Sequence, residues 1–337
     1  MNEVCKRRLF YILLSHLVSI SFAISTLSLT YVRAYTKKCP YFYNFTYYTL
    51  TGVIALVIYL IKYRKKICYP TVQQFFKTRI SIYSVVILMN FFSTWAYYQS
   101  FHMTEPLKII SISSLTIIST IAGNFFIVQK RLEWIHLVSF ILCSFGLLIQ
   151  GIGEYRRDKM FKLANRHANQ TSNLSLNPYI FDIVTDVVVG DLLVFFASVF
   201  FGILFSLQEK ILITEDLTIY HMIFNLGMTL SFLLLNLPLE WKKINPNPQN
   251  YDLVGNERQI SIFLLSLLSF FHLQTVIFKE FGSIYFVLAL MPTLFYRFLI
   301  TLIIENGKSY EMYILGYFTI LCGQGMFISK KTKDGNN

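Results

Sequence analysis

The sequence predicts an all-α membrane protein of ten transmembrane helices, built as two inverted five-helix repeats. Ten apolar runs, each about long enough to cross a bilayer, lie between Leu9 and Ser329. One long polar loop divides them five and five. Only 14% of the 337 residues are charged and 55% are apolar, where a soluble domain carries roughly a quarter charged. A span needs roughly 20 mostly apolar residues, and only helices or closed barrels hide their backbone polar groups in lipid. The runs are continuous rather than alternating, so they are helices.

The first run, 9–31, is too long for the apolar core of a signal peptide. It also lacks a small-residue cleavage site close behind it, so it stays as the first helix. The second covers 41–61 and the third 80–101. His102 to Glu105 must then turn tightly, and Pro106, a residue favoured at helix starts, opens the fourth at 106–128. The fifth covers 134–151. A polar, patternless stretch, 152–188, reads as a flexible connector between the halves. The second set covers 190–212, 217–239, 260–278, 282–304 and 312–329. The organisation is therefore a first half 1–151, the loop 152–188, a second half 189–330 and a tail 331–337.

Lys and Arg set the orientation. With the N-terminus in the cytoplasm, sixteen of them fall on that side. The short loops opposite hold seven: Arg33, Lys37, Lys38, Lys242, Lys243, Arg258 and Lys308. Both termini are expected inside. The long loop carries Asn169-Gln170-Thr171 and Asn173-Leu174-Ser175, glycosylation acceptor patterns on the side that charge places outside. Asn44-Phe45-Thr46 matches too, but lies too close to the membrane to be used. Five helices per half make the second half enter from the opposite face, the inverted-repeat arrangement of many alternating-access carriers. An echo of that relation is Ile141-Leu142-Cys143-Ser144-Phe145-Gly146 against Ile320-Leu321-Cys322-Gly323-Gln324-Gly325, near the ends of the fifth and tenth runs.

Composition excludes several classes. A net charge of +12 would suggest nucleic acid in a soluble chain. Here the basic residues sit in short clusters between apolar runs and read as orientation, so nucleic acid is not an expected partner. Cys5, Cys39, Cys68, Cys143 and Cys322 form no CxxC pair and no metal spacing. No phosphate-binding glycine loop, HExxH or GxSxG pattern occurs. No enzyme activity and no cofactor are expected.

Several stretches resemble a known family. Val189-Gly190-Asp191-Leu192-Leu193, Gly202-Ile203 and Gln208-Glu209-Lys210-Ile211 open the second half, and Tyr313-Ile314-Leu315-Gly316-Tyr317-Phe318-Thr319-Ile320-Leu321 stands near its end. Ala96-Tyr97-Tyr98 and the link Lys130-Arg131-Leu132 fit the same pattern. Over about residues 6–330 the chain is similar to the drug/metabolite transporter superfamily and, within it, to solute carrier family 35, the nucleotide-sugar-transporter-like group, closest to its F subfamily. The resemblance implies a ten-helix carrier with a central substrate cavity, and an acidic pair late in the sixth helix. Glu209 keeps one acid of that pair and joins the candidate substrate-binding residues, whereas Gln208 stands where the other is expected.

Inside the membrane, Arg297 is the most informative side chain. An arginine at mid-span costs about 2.5–3.5 kcal/mol by insertion scales and faces the interior or a cavity. Its planar fork suits phosphate or carboxylate, the alternative being an internal pair with an acid or backbone carbonyls. Pro292 removes a backbone donor and is expected to kink this span. Lys108, one turn into the fourth helix, either snorkels to the interface or joins Arg297 in a cationic cavity. Ser113, Thr116, Thr120 and Asn124 share one face of that helix. The hydroxyls read as packing residues, and Asn124 reads as a candidate ligand. Ser21, Ser25 and Ser28 make a similar packing face. Tyr98 is a candidate for stacking on a substrate ring, with Asn90, Tyr97, Gln274 and Gln324 as further polar liners. His16 and His272 are either proton relays or hydrogen-bonded packing residues.

The expected function is a multi-pass secondary transporter moving an organic, anionic solute by alternating access, with nucleotide sugars and nucleotides among its candidate cargoes. The alternative is a receptor-like or scaffolding membrane protein that keeps the fold without transport. The expected partners are the bilayer and the solute, with a second copy of the chain as a candidate. Golgi or another endomembrane is the favoured location, with the plasma membrane still open.

Overall fold

The computed structural model describes residues 3–35, 40–63, 69–103, 112–113, 115–130, 133–168, 180–235, 257–305 and 311–329. Among them there is no strand. The helices are α1 (Glu3–Tyr35), α2 (Pro40–Tyr63), α3 (Tyr69–Met103), α4 (Leu115–Gly123, running on as a π-turn over Asn124–Val128), α5 (Trp134–Ala168) and α6 (Ile180–Thr214). They continue as α7 (Leu217–Leu235), α8 (Glu257–Glu280), α9 (Ser283–Leu290), α10 (Thr293–Glu305) and α11 (Glu311–Ser329). Among the described residues, nine helical stretches are long and apolar enough to cross a membrane, with α9 and α10 together making one of them. The protein is an all-helical, multi-pass membrane protein. Of the run predicted at 106–128, the described helical part is the shorter apolar segment Leu115–Val128.

Several helices outrun their apolar segments. α3 begins at Tyr69 rather than residue 80, and α5 continues to Ala168 across much of the predicted loop. The reason is local: after Gly153, α5 runs through Glu, Arg, Lys, Met, Leu and Ala with neither Gly nor Pro, and good helix formers propagate a helix already begun.

Each of α1–α5 finds its main neighbour among α6–α11. α1 lies along α8, α2 along α7, α3 and α4 along α6, and α5 along α11. The last pair comes very close. A Cβ on Gly146 would stand 2.7 Å from the carbonyl oxygen of Gly316, and one on Gly316 would stand 2.6 Å from that of Gly146. Cys143 Sγ donates to the Ile320 carbonyl at 3.5 Å, and Gln150 Nε2 to that of Tyr313 at 3.4 Å. The two stretches whose sequences echo each other thus meet face to face. Small residues let the backbones approach, which is how membrane helices gain contact when lipid competes equally for apolar side chains.

Hydroxyl side chains are settled mostly within their own helices. Ser25, Thr51, Ser93, Thr120 and Ser139 each bond a carbonyl three or four residues back, as a medium without water requires. The centre belongs to α9 and α10: 61% of the window Ser283–Ile300 is buried, against 28–39% in the other spans.

Candidate functional site

The span made by α9 and α10 is broken at Met291-Pro292. Pro292 has no N–H, and its ring crowds the carbonyl four residues back, that of Leu288. Lipid offers no replacement donor, so the protein supplies its own. Gln324 Nε2 on α11 donates to Leu288 O at 2.7 Å, and Ser19 Oγ on α1 donates to Ala289 O. One turn earlier, Tyr11 OH donates to Tyr285 O at 2.8 Å. The helix is interrupted at the expected proline, and the carbonyls before it are held by two other helices.

Arg297 follows the break by five residues and is half-buried. Its charge reaches the phenol of Tyr97 on α3. The neighbouring Tyr98 donates to Asn44 Oδ1 on α2 at 3.4 Å. Beside Arg297, Tyr296 OH lies 2.8 Å from His16 Nδ1 on α1 and 3.4 Å from Tyr317 OH on α11, and Tyr317 stacks on Phe295 at 3.9 Å. One cation and an array of phenols therefore follow the break, contributed by several helices. A guanidinium suits an oxyanion.

A second cluster forms where α9 begins. Glu209, buried on α6, accepts from Lys130 Nζ at 2.5 Å and from both the backbone N–H and the hydroxyl of Ser283 at 2.7 Å. Asn124 Nδ2 donates to Ser283 Oγ at 2.8 Å. Glu209 thereby caps the free N–H of α9 from another helix, with its negative charge at the positive end of the dipole. Gly282 sits at φ +107°, and a Cβ there would stand 2.7 Å from Glu209 Oε1 and 3.1 Å from Lys130 Nζ. Lys130 follows Gln129, itself in the left-handed region at φ 61°, where the π-turn ends.

Of the predicted site residues, the structure thus joins Asn124 and Glu209 through Ser283, while Arg297 lies beyond the break near Tyr97, and Tyr98 bonds Asn44. Lys108, Asn169 and Asn173 lie outside the described residues. Gln208 is buried and accepts from Gln274 at 3.3 Å, a neutral contact where the resemblance led to the expectation of an acid. Asn44, set aside as a glycosylation acceptor, is buried. His272 stacks on His221 at 5.7 Å, and His221 meets Thr275 Oγ1 at 2.9 Å. Lys130, Ser283, Gly282, Tyr296 and Tyr317 were not singled out by sequence. Gly-Ser at a helix start was a usable signal for Gly282 and Ser283, since glycine and serine are both favoured at caps. Lys130 was read as an orientation charge and as part of the Lys130-Arg131-Leu132 link, neither of which points to Glu209.

Further links gather at the same end of the bundle. Arg7 donates to the Glu280 carbonyl at 2.7 Å, Arg8 to that of Ser329 at 3.0 Å, and Lys279 to that of Glu215 at 3.2 Å. Lys62 pairs with Asp216 at 2.7 Å, and Asp216 also caps α7 through the Thr218 N–H at 2.8 Å. Burial pushes the Asp216 carboxyl up, but its bonds to Lys62 and Thr218 outweigh that and hold it at about 2. A carboxyl so depressed stabilises the fold above its ordinary value of 3.8 and loses that contribution as pH falls toward 2. The pair is partly exposed (49% and 33%), so solvent screening leaves it worth below about 1 kcal/mol. Asp216→Asn should therefore lower the melting temperature slightly at pH 7 and not at pH 2, as thermal unfolding across that range would show.

No family model matches the sequence, and comparison with curated proteins gives no match. Among solved structures, one described only as a crystal structure of a protein aligns over 91% of this chain and 95% of its own. Its TM-score is 0.59 at 11% identity. That likeness shows a shared fold.

Proposed function

We propose that the protein is a secondary carrier of the solute carrier 35 type, moving a small organic anion along the axis between its two halves. The observation that carries this reading is the broken central span with a half-buried arginine just beyond the break. Discontinuous helices at mid-membrane mark carrier binding sites, and an intramembrane arginine is costly unless it serves a partner. Helix pairing supports the inverted repeat. Exchanging the halves maps α1 beside α8 onto α6 beside α3, and it maps the pairs α2–α7 and α5–α11 onto themselves. The test is counterflow into proteoliposomes against nucleotide sugars, free nucleotides and smaller organic anions. Uptake of one of them, competed by its unlabelled form, supports the carrier. Silence across the panel from folded protein moves the reading to a scaffold without transport.

The clustered end that carries Arg7, Lys62, Lys130 and Lys279 is the cytoplasmic face in this reading. A variant keeping only Cys5, which is exposed, is expected to react with a membrane-impermeant maleimide only after permeabilisation. Replacing Asn169 and Asn173 by Gln should remove any glycan shift on a gel.

A further inference from the structure

We infer that Glu209 is a positioning residue that clasps the two halves at the end of the bundle carrying the start of α1. Among the described residues, four cationic links cross between the halves there, and all have one polarity. Arg7, Arg8, Lys62 and Lys130 come from the first half, while Glu280 O, Ser329 O, Asp216 and Glu209 come from the second. Three of the four are exposed, and exposed pairs hold weakly. The fourth is not. Glu209 is 1% exposed and the Lys130 side chain 19%. Glu209 stands five residues inside the end of α6, roughly 7 Å by helical rise.

Its carboxylate also reaches both partners that matter for movement. Oxygen ε1 takes Lys130, on the link following α4, and oxygen ε2 takes the first N–H and the hydroxyl of α9. Asn124 completes the ring from α4 to Ser283. α4 packs against α9, and α9 leads directly into the break. Separating the halves at this end must pull Lys130 from Glu209, leaving a buried carboxylate without its counter-charge. The lack of a side chain at Gly282 keeps the approach open, because a Cβ there would press on the carboxylate itself. A closed end is the state this clasp favours, and release of Lys130 is the step that opens it. Calling that opening part of a transport cycle rests on the carrier reading, whereas the clasp itself does not.

Amide hydrogen exchange of the full chain in lipid nanodiscs tests it without any substrate. In Lys130→Gln and in Glu209→Gln, amides 283–286 should exchange about tenfold faster, while those of α5 and α11 stay as they are. Gly282→Ala, which crowds the carboxylate without changing any charge, should do the same. Lys130→Arg should keep the parent rate. Unchanged amides 283–286 in the two glutamine variants would overturn the clasp. So would equal acceleration in Lys130→Arg, or acceleration spread over α5 and α11. A silent counterflow panel with the expected exchange pattern would overturn the carrier reading and leave the clasp standing.

Discussion

Replacing Arg297 by alanine is expected to lower counterflow of the transported anion at least about 100-fold while leaving the fold as stable or more so. The loss follows from geometry and charge. A guanidinium offers two parallel charge-assisted bonds to a carboxylate or phosphate, each worth about 1.5–3 kcal/mol, and 100-fold corresponds to about 2.7 kcal/mol. The stability half separates function from structure. A half-buried arginine in a span is a cost to insertion, and residues that serve a site at the expense of stability are relieved by removal. Arg297→Lys keeps the charge and loses the fork, so partial activity is expected. Counterflow and thermal unfolding on the same preparations check both halves. A lower melting temperature together with lost transport would mean that Arg297 holds the bundle instead.

The second large effect is expected at the α5–α11 contact. Gly316→Leu should destabilise the protein by about 3 kcal/mol or more, the upper range for overpacking, and Gly146→Leu should do the same. Each new Cβ would lie under 3 Å from a backbone carbonyl of the facing helix, and a backbone cannot rotate aside as a side chain can. Leucine suits lipid as well as glycine does, so insertion should survive and only packing should fail. Thermal unfolding followed by size-exclusion chromatography measures the loss. Gly151→Leu, where a Cβ would meet nothing within 4 Å, is the control and should melt like the parent.

What could be read in the sequence was whatever depends on neighbours along the chain. The spans are runs of apolar residues, and a proline with an arginine five places on marks a break beside a charge. Asn124 stood out because an amide in lipid demands a partner. Its partner, Ser283, lies 159 residues away, and no pattern of spacing points there. Glu209 was visible through a motif, but Lys130 is 79 residues from it and looked like any other loop cation. The extensions of α3 and α5 escaped because hydropathy marks where a helix meets lipid and says nothing of where it stops.

The pairing of α1 with α8, α2 with α7, α3 and α4 with α6, and α5 with α11 bears on how the chain is made. A ribosome delivers the first five helices before any of their principal neighbours exist. Until then the buried Gln150 of α5 must wait for its acceptor, the Tyr313 carbonyl of α11. Contacts so distant in sequence assemble slowly. A message cut short before residue 311 would strand that amide against acyl chains, a defect that quality control in the membrane can sense. Neither half, synthesised alone, is expected to settle into a stable bundle, whereas the two co-expressed as separate pieces should find each other.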